Sequence, residues 1–381
     1  MTTLMARRPS VRHGLALALV VHVVARGVGL AVLALMASTA DQDPVSRLSV
    51  WDGGWYLRVA EDGYAGTLDL ADDNTGSLAF YPVYPLLLRW LAALTGLEPA
   101  TAGVLLSELA AAAAAAGLYL LAARLWSPAV GVTLVLLWSA QPLAVVLSMV
   151  YTEALFTALA VWALVCLRRE RWLLAGVLAL LAGLTRSSGL GVGLAVAAYA
   201  GWQWWRFRSR GPLPVTAALL ALSGTPLWWL WVGWRTGRLD GWFFVQDAVW
   251  ETRWDWGSAT VQLGLDLFSQ AVRYGGDAVF VITLTYVLLV LAVVLLAEAA
   301  ARRVWWPLLV YAAVLLTMAI GTDGFPNAKP RFLVPIFPLL IPLAQTLAAA
   351  RRRVQIVVGI LVIAASAWFG AFLLVVWPYS I

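Results

Sequence analysis

Apolar runs long enough to cross a bilayer follow one another through most of this 381-residue chain, and that pattern excludes almost every soluble fold. A hydrocarbon core ~30 Å thick takes ~20 residues of helix to cross, and the backbone inside it must satisfy its own hydrogen bonds. Hydrophobic residues make up 62% of the chain and charged residues 12%, a balance that a water-solvated surface cannot sustain. The expected class is an all-α polytopic membrane protein. About eleven spans are read, at roughly 14–37, 102–123, 128–148, 151–168, 171–185, 188–206, 213–234, 277–299, 304–321, 332–349 and 354–377. Two long connections, about 38–101 and about 235–276, stand between them, and no soluble domain interrupts the series.

Arginine placement sets the expected orientation, because basic residues accumulate in cytoplasmic connections. One set of connections carries Arg7, Arg8, Arg12, Arg124, Arg168, Arg169, Arg171, Arg206, Arg208, Arg210, Arg302, Arg303, Arg351, Arg352 and Arg353, against only Glu170 and Glu298. That side is expected to be cytoplasmic, together with the N-terminus. Both long connections and nearly all remaining acids then face outward. These arginines are divided among short turns rather than gathered on one face, so no nucleic-acid partner is expected. The first span has the basic start of a secretory signal, but its length, its interruption by His22 and Arg26, and the lack of a small-residue cleavage site argue for a retained helix. The lone cysteine, Cys166, offers neither a disulfide framework nor a zinc cluster.

In such a chain the informative residues are the few polar ones. Asp52 opens the segment WDGGWYLRVAEDGY (Trp51 to Tyr64) just after the first span. An acid beside Trp51, Trp55 and Tyr56, with Gly53 and Gly54 allowing close backbone approach, suits a site that stacks on a sugar and takes a hydroxyl proton. An ordinary interfacial loop has the same aromatic composition. Arg26 falls about halfway along the first span, where a charge costs ~2.5–3.5 kcal/mol and needs a partner. Glu108 and a bound anionic ligand are the two candidates. Glu153, at the start of YTEALF, either complements a helix dipole or contacts substrate. Arg186 in LTRSSGL, beside Ser187, Ser188 and Gly189 at a helix start, suits a phosphate and equally suits a lipid headgroup.

Lys329 is the only lysine among 26 basic residues and lies with Arg331 in NAKPRF, which puts two cations on the side that is poor in them. A compact ammonium and a guanidinium there suit phosphate oxygens. The second long connection holds GWFFVQDAVWETRWDWG (Gly241 to Gly257), including Gln246 and Trp250, an aromatic run expected to lie at headgroup depth. No cofactor is required by the sequence. A divalent metal held by Asp52 with Glu61 or Asp62 stays open, although the octahedral oxygen set such an ion prefers is not evident.

Taken in order, these segments resemble the PIG-V family, the second mannosyltransferases of glycosylphosphatidylinositol assembly and their bacterial relatives. WDGGWYLRVAEDGY is similar to the family's first-loop signature, and AFYPVYPLLLR (Ala79 to Arg89) to the Phe- and Pro-rich element after it. YTEALF, LTRSSGL, the connection with Gln246 and Trp250, and RFLVPIFPLL (Arg331 to Leu340) continue the likeness over about residues 20–342. The resemblance implies a GT-C membrane glycosyltransferase with its active site on the extracytoplasmic face and Asp52 as general base. It implies that Arg186, Lys329, Arg331, Arg26 and Glu153 meet the donor phosphate or substrate, and with the bare reading of Trp51, Trp55 and Tyr56 beside Asp52 the expected substrate contacts are Trp51, Trp55, Tyr56, Glu153, Gln246 and Trp250. The implied donor is a polyprenyl-phosphate-linked sugar, mannose by analogy. An Ala-, Arg- and Trp-rich composition fits a high-GC bacterial protein, so the acceptor is expected to be a bacterial glycolipid, polysaccharide or protein. A lipid transporter or flippase, or a non-catalytic subunit of an envelope-assembly complex, are the alternatives from other classes.

Overall fold

The computed structural model describes residues 11–207, 211–269 and 276–381; Arg7, Arg8, Arg208 and Arg210 lie outside them. Sixteen α-helices are described: α1 (Val11–Thr39), α2 (Pro44–Arg47), α3 (Asp52–Asp62), α4 (Val83–Thr95), α5 (Pro99–Leu125), α6 (Pro128–Ser139), α7 (Glu153–Arg168), α8 (Trp172–Gly183), α9 (Gly189–Arg206), α10 (Leu213–Thr236), α11 (Gly241–Ala248), α12 (Ser258–Ser269), α13 (Gly276–Ala301), α14 (Trp306–Gly321), α15 (Ile341–Ala349) and α16 (Arg352–Val375). Among the described residues there is no strand, only an isolated antiparallel bridge between Trp254 and Thr322. The protein is an all-helical, multi-pass membrane protein.

The eleven apolar segments are all at least partly helical, but they are not eleven uniform spans. Five helices, α1, α5, α10, α13 and α16, are individually long and apolar enough to cross a membrane. A sixth crossing is possible for the pair Pro326–Leu333 and Phe337–Ala349, which is bent by 70°. Helices α6 and α8 have 12 residues each and rise only ~18 Å, well short of the hydrocarbon thickness. Packing explains why broken segments are tolerated here. Non-helical backbone is admissible at membrane depth when protein surrounds it, and the stretch between α6 and α7 is enclosed in this way. Ala144, Val146, Leu147, Ser148, Met149, Val150 and Tyr151 are each at most 1% exposed.

Small residues set the closest helix approaches. In α5 the alanine-rich stretch contributes Ala111, Ala114 and Ala115 to the buried core, where α5 packs on α1, α6 and α7. Helix α10 lies against both α8 and α9 through Gly176, Gly183, Gly193 and Gly224. A Cβ on Gly176 would sit 2.8 Å from the Ala217 carbonyl oxygen, and one on Gly224 would collide with the Leu180 carbonyl. Gly224→Ala is therefore expected to destabilise the protein by ~1–3 kcal/mol through overpacking. Gly201→Ala, which adds a methyl to open space, should have no such effect. Thermal unfolding of both variants in the same detergent checks this; equal midpoints would remove the close-packing account.

The long connections are themselves folded. The first contains α2, α3, a 3-10 turn (Thr75–Ala79) and α4, which ends at Gly96 with φ 68°, the left-handed conformation that suits glycine after a helix. The aromatic run of the second does not simply lie at headgroup depth. Trp242 Nε1 donates to Ala79 O at 3.4 Å and Trp250 Nε1 to Gly76 O at 3.2 Å, so α11 and the turn after it are tied down onto the first connection. Trp254 and Trp256 remain exposed, as the sequence leads one to expect of the whole run.

Candidate active site

Asp52 is delivered by a strained turn. Trp51, the residue before it, has φ 54° and ψ −116°. A positive φ costs a non-glycine residue ~1–3 kcal/mol and persists only where the surroundings over-determine it. Those surroundings are the enclosed segment before α7. Val150 N donates to Leu48 O at 2.8 Å, and the Tyr151 hydroxyl donates to Val50 O at 3.4 Å. A Cβ on Gly53 would lie 3.5 Å from Val150 O, so this glycine packs α3 against that segment. Gly54 is exposed, and a Cβ there would meet only Ser49 O, at 4.0 Å. Of the two glycines expected to let a ligand approach, only Gly54 is placed to do so.

Two acid–arginine pairs lie side by side at this point. Arg331 Nη2 is 2.6 Å from Asp52 Oδ2, and Arg186 Nη1 is 2.7 Å from Glu153 Oε1. Phe332 joins them, with its ring centroid 5.1 Å from the Arg331 guanidinium and 5.5 Å from that of Arg186. Tyr151 lies 5.2 Å from Arg331, and Phe156 lies 5.9 Å from Arg186. Aromatic faces hold guanidinium groups without using up their N–H donors. Thr152 Oγ1 accepts from Arg186 at 3.4 Å and is 3.4 Å from the Tyr56 hydroxyl. Burial, helped by the Asp52 charge, pushes the Tyr56 phenol above its ordinary range, so it stays protonated.

Exposure grades across the cluster: Glu153 is 2% exposed, Arg331 11%, Arg186 15% and Asp52 23%. Asp52 therefore stands at the mouth and Glu153 at the floor. Glu153 Oε2, Arg331 Nε and Ser188 Oγ are buried with no hydrogen-bond partner among the described residues. Such groups are uncommon in folded proteins, and here three of them lie within or beside one cluster of charges. The turn that carries Arg186 is tight. Gly189 N donates to Arg186 O at 2.9 Å, and a Cβ on Gly189 would collide with the Gly183 backbone. Val83 N donates to Leu184 O at 3.1 Å, joining this turn to the start of α4.

The other sequence-selected residues are placed differently. Lys329 does not join the pair-of-pairs: its ammonium donates to Ala319 O at 3.1 Å and to Thr322 O, carbonyls at the end of α14, and its charged neighbours are Asp255 and Asp323. Residues 326–333 form a 3-10 helix with ~3 residues per turn, so Lys329 and Arg331 project to different sides. Arg26 finds its expected acidic partner through a bridge. Its guanidinium donates to Ser148 Oγ, at 3.2 Å from Nε, and Ser148 donates to Glu108. One turn earlier on α1, His22 Nδ1 is 2.8 Å from Ser139 Oγ. This polar line is continuous with the site through the 148–151 segment but does not touch Asp52.

Trp55, Phe80 and Trp250 form one aromatic wall, with ring centroids 5.8 Å, 5.5 Å and 5.3 Å apart. Tyr56 connects that wall to the pairs, 5.0 Å from Phe80. Trp51 is half-buried against the core. Gln246 is half-buried on α11, and its carbonyl accepts from Thr252 N at 2.9 Å. A metal site at Asp52 with Glu61 or Asp62 is contradicted by helix geometry. These acids lie at the other end of α3, ~14–15 Å along its axis, and the carboxylate of Asp52 is on Arg331. Among the described residues no three His, Cys, Asp or Glu side chains gather to hold a metal. Sequence reasoning missed Tyr151, Thr152 and Phe332 as parts of the site. All three lie in the segments YTEALF and RFLVPIFPLL, and only the fold shows that they face the guanidinium groups.

No family model and no curated protein matches the chain. Among solved structures it is similar to the Archaeoglobus fulgidus oligosaccharyltransferase in the apo form, with 14% identity and a TM-score of 0.49 over 91% of this chain and 55% of that one. The same archaeal protein in complex with Zn and sulfate gives 13% identity and a TM-score of 0.47 over 84% of this chain and 47% of that one. The chain spans about half the length of the oligosaccharyltransferase chains it matches.

Proposed function

We propose that this protein is a GT-C glycosyltransferase related to the PIG-V family. In this reading it transfers a sugar, mannose by that analogy, from a polyprenyl-phosphate-linked donor to a hydroxyl of a glycolipid, polysaccharide or protein on the extracytoplasmic face. The observation that carries the reading is the partly exposed carboxylate of Asp52 held against Arg331 at the mouth of a cluster whose inner polar atoms, Glu153 Oε2 and Arg331 Nε, have no partner. Asp52 takes the proton of the acceptor's hydroxyl while that hydroxyl's oxygen attacks the anomeric carbon from the face opposite the departing phosphate, so the configuration inverts. The guanidinium groups of Arg331 and Arg186 stabilise the charge that develops on the departing phosphate. Glu153 Oε2 accepts a hydrogen bond from a sugar hydroxyl, and the wall of Trp55, Phe80 and Trp250 offers ring faces on which a sugar stacks.

Two measurements test this reading. Envelope glycolipids and glycoproteins compared by mass spectrometry should lose the same hexose in a deletion strain and in its Asp52→Asn complement, and regain it in the wild-type complement. Unchanged glycans in all three would refute the proposal. The proposed orientation is tested with single cysteines in a Cys166→Ala background, at Ala71 in the first connection and Ala301 at the end of α13, both exposed. A membrane-impermeant thiol reagent applied to intact cells should label the first and not the second. The reverse pattern would place Asp52 on the cytoplasmic side, away from the proposed donor.

A further inference from the structure

We propose that Arg331 serves the base and the leaving group in turn, passing from the Asp52 carboxylate to the departing phosphate as Asp52 takes the acceptor's proton. The inference rests on the glycosyl-transfer reading above and assigns a specific role to one residue of that site. Its first ground is geometry. Arg331 Nη2 holds Asp52 Oδ2 at 2.6 Å while its Nε has no partner, so the planar fork is only partly used. The guanidinium lies 5.2 Å from the Tyr151 ring and 5.1 Å from the Phe332 ring, contacts that leave its N–H donors free to change partner.

The second ground is charge. Asp52, Glu153, Arg186 and Arg331 together are neutral, and the donor, a phosphodiester, brings one negative charge. Among the described residues outside the four, Lys329 donates to carbonyls at the end of α14, Arg26 to Ser148, and Arg58 to the Asp73 carbonyl while resting on the Trp55 ring. In the transfer step the acceptor's O–H bond breaks and its proton goes to Asp52. The acceptor oxygen bonds to the anomeric carbon, the bond from that carbon to the phosphate oxygen breaks, and its electron pair leaves on the phosphate. The phosphodiester monoanion thus becomes a phosphate monoester dianion just as Asp52 becomes neutral. The second phosphate charge appears when Arg331 loses its carboxylate partner, so one cation serves both states.

Asp52→Asn mimics the protonated carboxyl. Its affinity for farnesyl phosphate, a product-like phosphate monoester, should therefore exceed that of the wild-type protein about tenfold, which corresponds to ~1.4 kcal/mol. The double variant Asp52→Asn/Arg331→Gln should lose that gain. Titration of the three purified proteins in detergent reads both effects, and an Asp52→Asn protein that binds no tighter, or a double variant that keeps the gain, overturns the proposal. Should Asp52→Asn fail to fold, a structure of the wild-type protein with farnesyl phosphate decides. Arg331 hydrogen-bonded to the phosphate and parted from Asp52 supports the handover; Arg331 still on Asp52 with phosphate bound overturns it. Failure of the functional reading is distinct. Tighter phosphate binding by Asp52→Asn without any sugar transfer by the wild type would refute transfer, whereas transfer without that gain would refute the handover alone.

Discussion

Asp52→Asn should lower turnover of the purified protein by roughly 10²–10⁴-fold, the usual contribution of a positioned general base. The substitution keeps the shape of the side chain at the mouth of the site and removes its capacity to take a proton. Donor binding should survive, because the carboxylate repels rather than attracts the phosphate, so the loss belongs in kcat and not in KM. Release of polyprenyl phosphate at saturating donor gives the number. Arg331, 11% exposed, loses its charged partner in this variant, so the comparison is made on protein that elutes as a single folded species in detergent. A turnover within a few-fold of wild type would remove Asp52 from the chemistry.

The largest expected effect on stability belongs to the inner pair. Glu153 is 2% exposed in the first turn of α7, and Arg186 reaches it from the turn between α8 and α9. Removing one member leaves the other buried and uncompensated, which typically costs ~3–5 kcal/mol. Glu153→Ala should therefore show the steepest loss of resistance to unfolding in mixed micelles. Glu153→Leu/Arg186→Leu, which removes both charges and keeps the volume apolar, should recover most of it. The pairing account fails if Glu153→Ala unfolds with the wild type, or if the double variant is the weaker of the two. Both variants keep Asp52 and Arg331, so the unfolding comparison reads the inner pair alone.

Much of this arrangement was legible in the residues because a bilayer makes polar groups conspicuous. The helical class followed from apolar runs, and Asp52, Glu153, Arg186 and Arg331 stood out as charges, each with an ordinary reading as a loop, helix-start or headgroup residue beside the functional one. The number of crossings was less legible. Composition reports that segments such as α6 and α8 are apolar, but it does not distinguish a helix that spans ~30 Å of lipid from one of 12 residues that rises only ~18 Å. Pairing was illegible for a geometric reason. Lys329 and Arg331 are two residues apart and look equivalent in sequence, yet the 3-10 path of 326–333 turns the first toward α14 and the second toward Asp52. Arg26 with Glu108 shows the reverse case, since the partner was visible and the bridging Ser148 was not.

Transfer of mannose from polyprenyl-phosphate mannose into an envelope extract, followed with purified protein in lipid nanodiscs, is the most direct measurement of the proposed activity. The wild-type protein should move mannose into the extract and release polyprenyl phosphate in equal amount, and Asp52→Asn should do neither above background. Equal transfer by both proteins, or a donor left intact by the wild type, would contradict it.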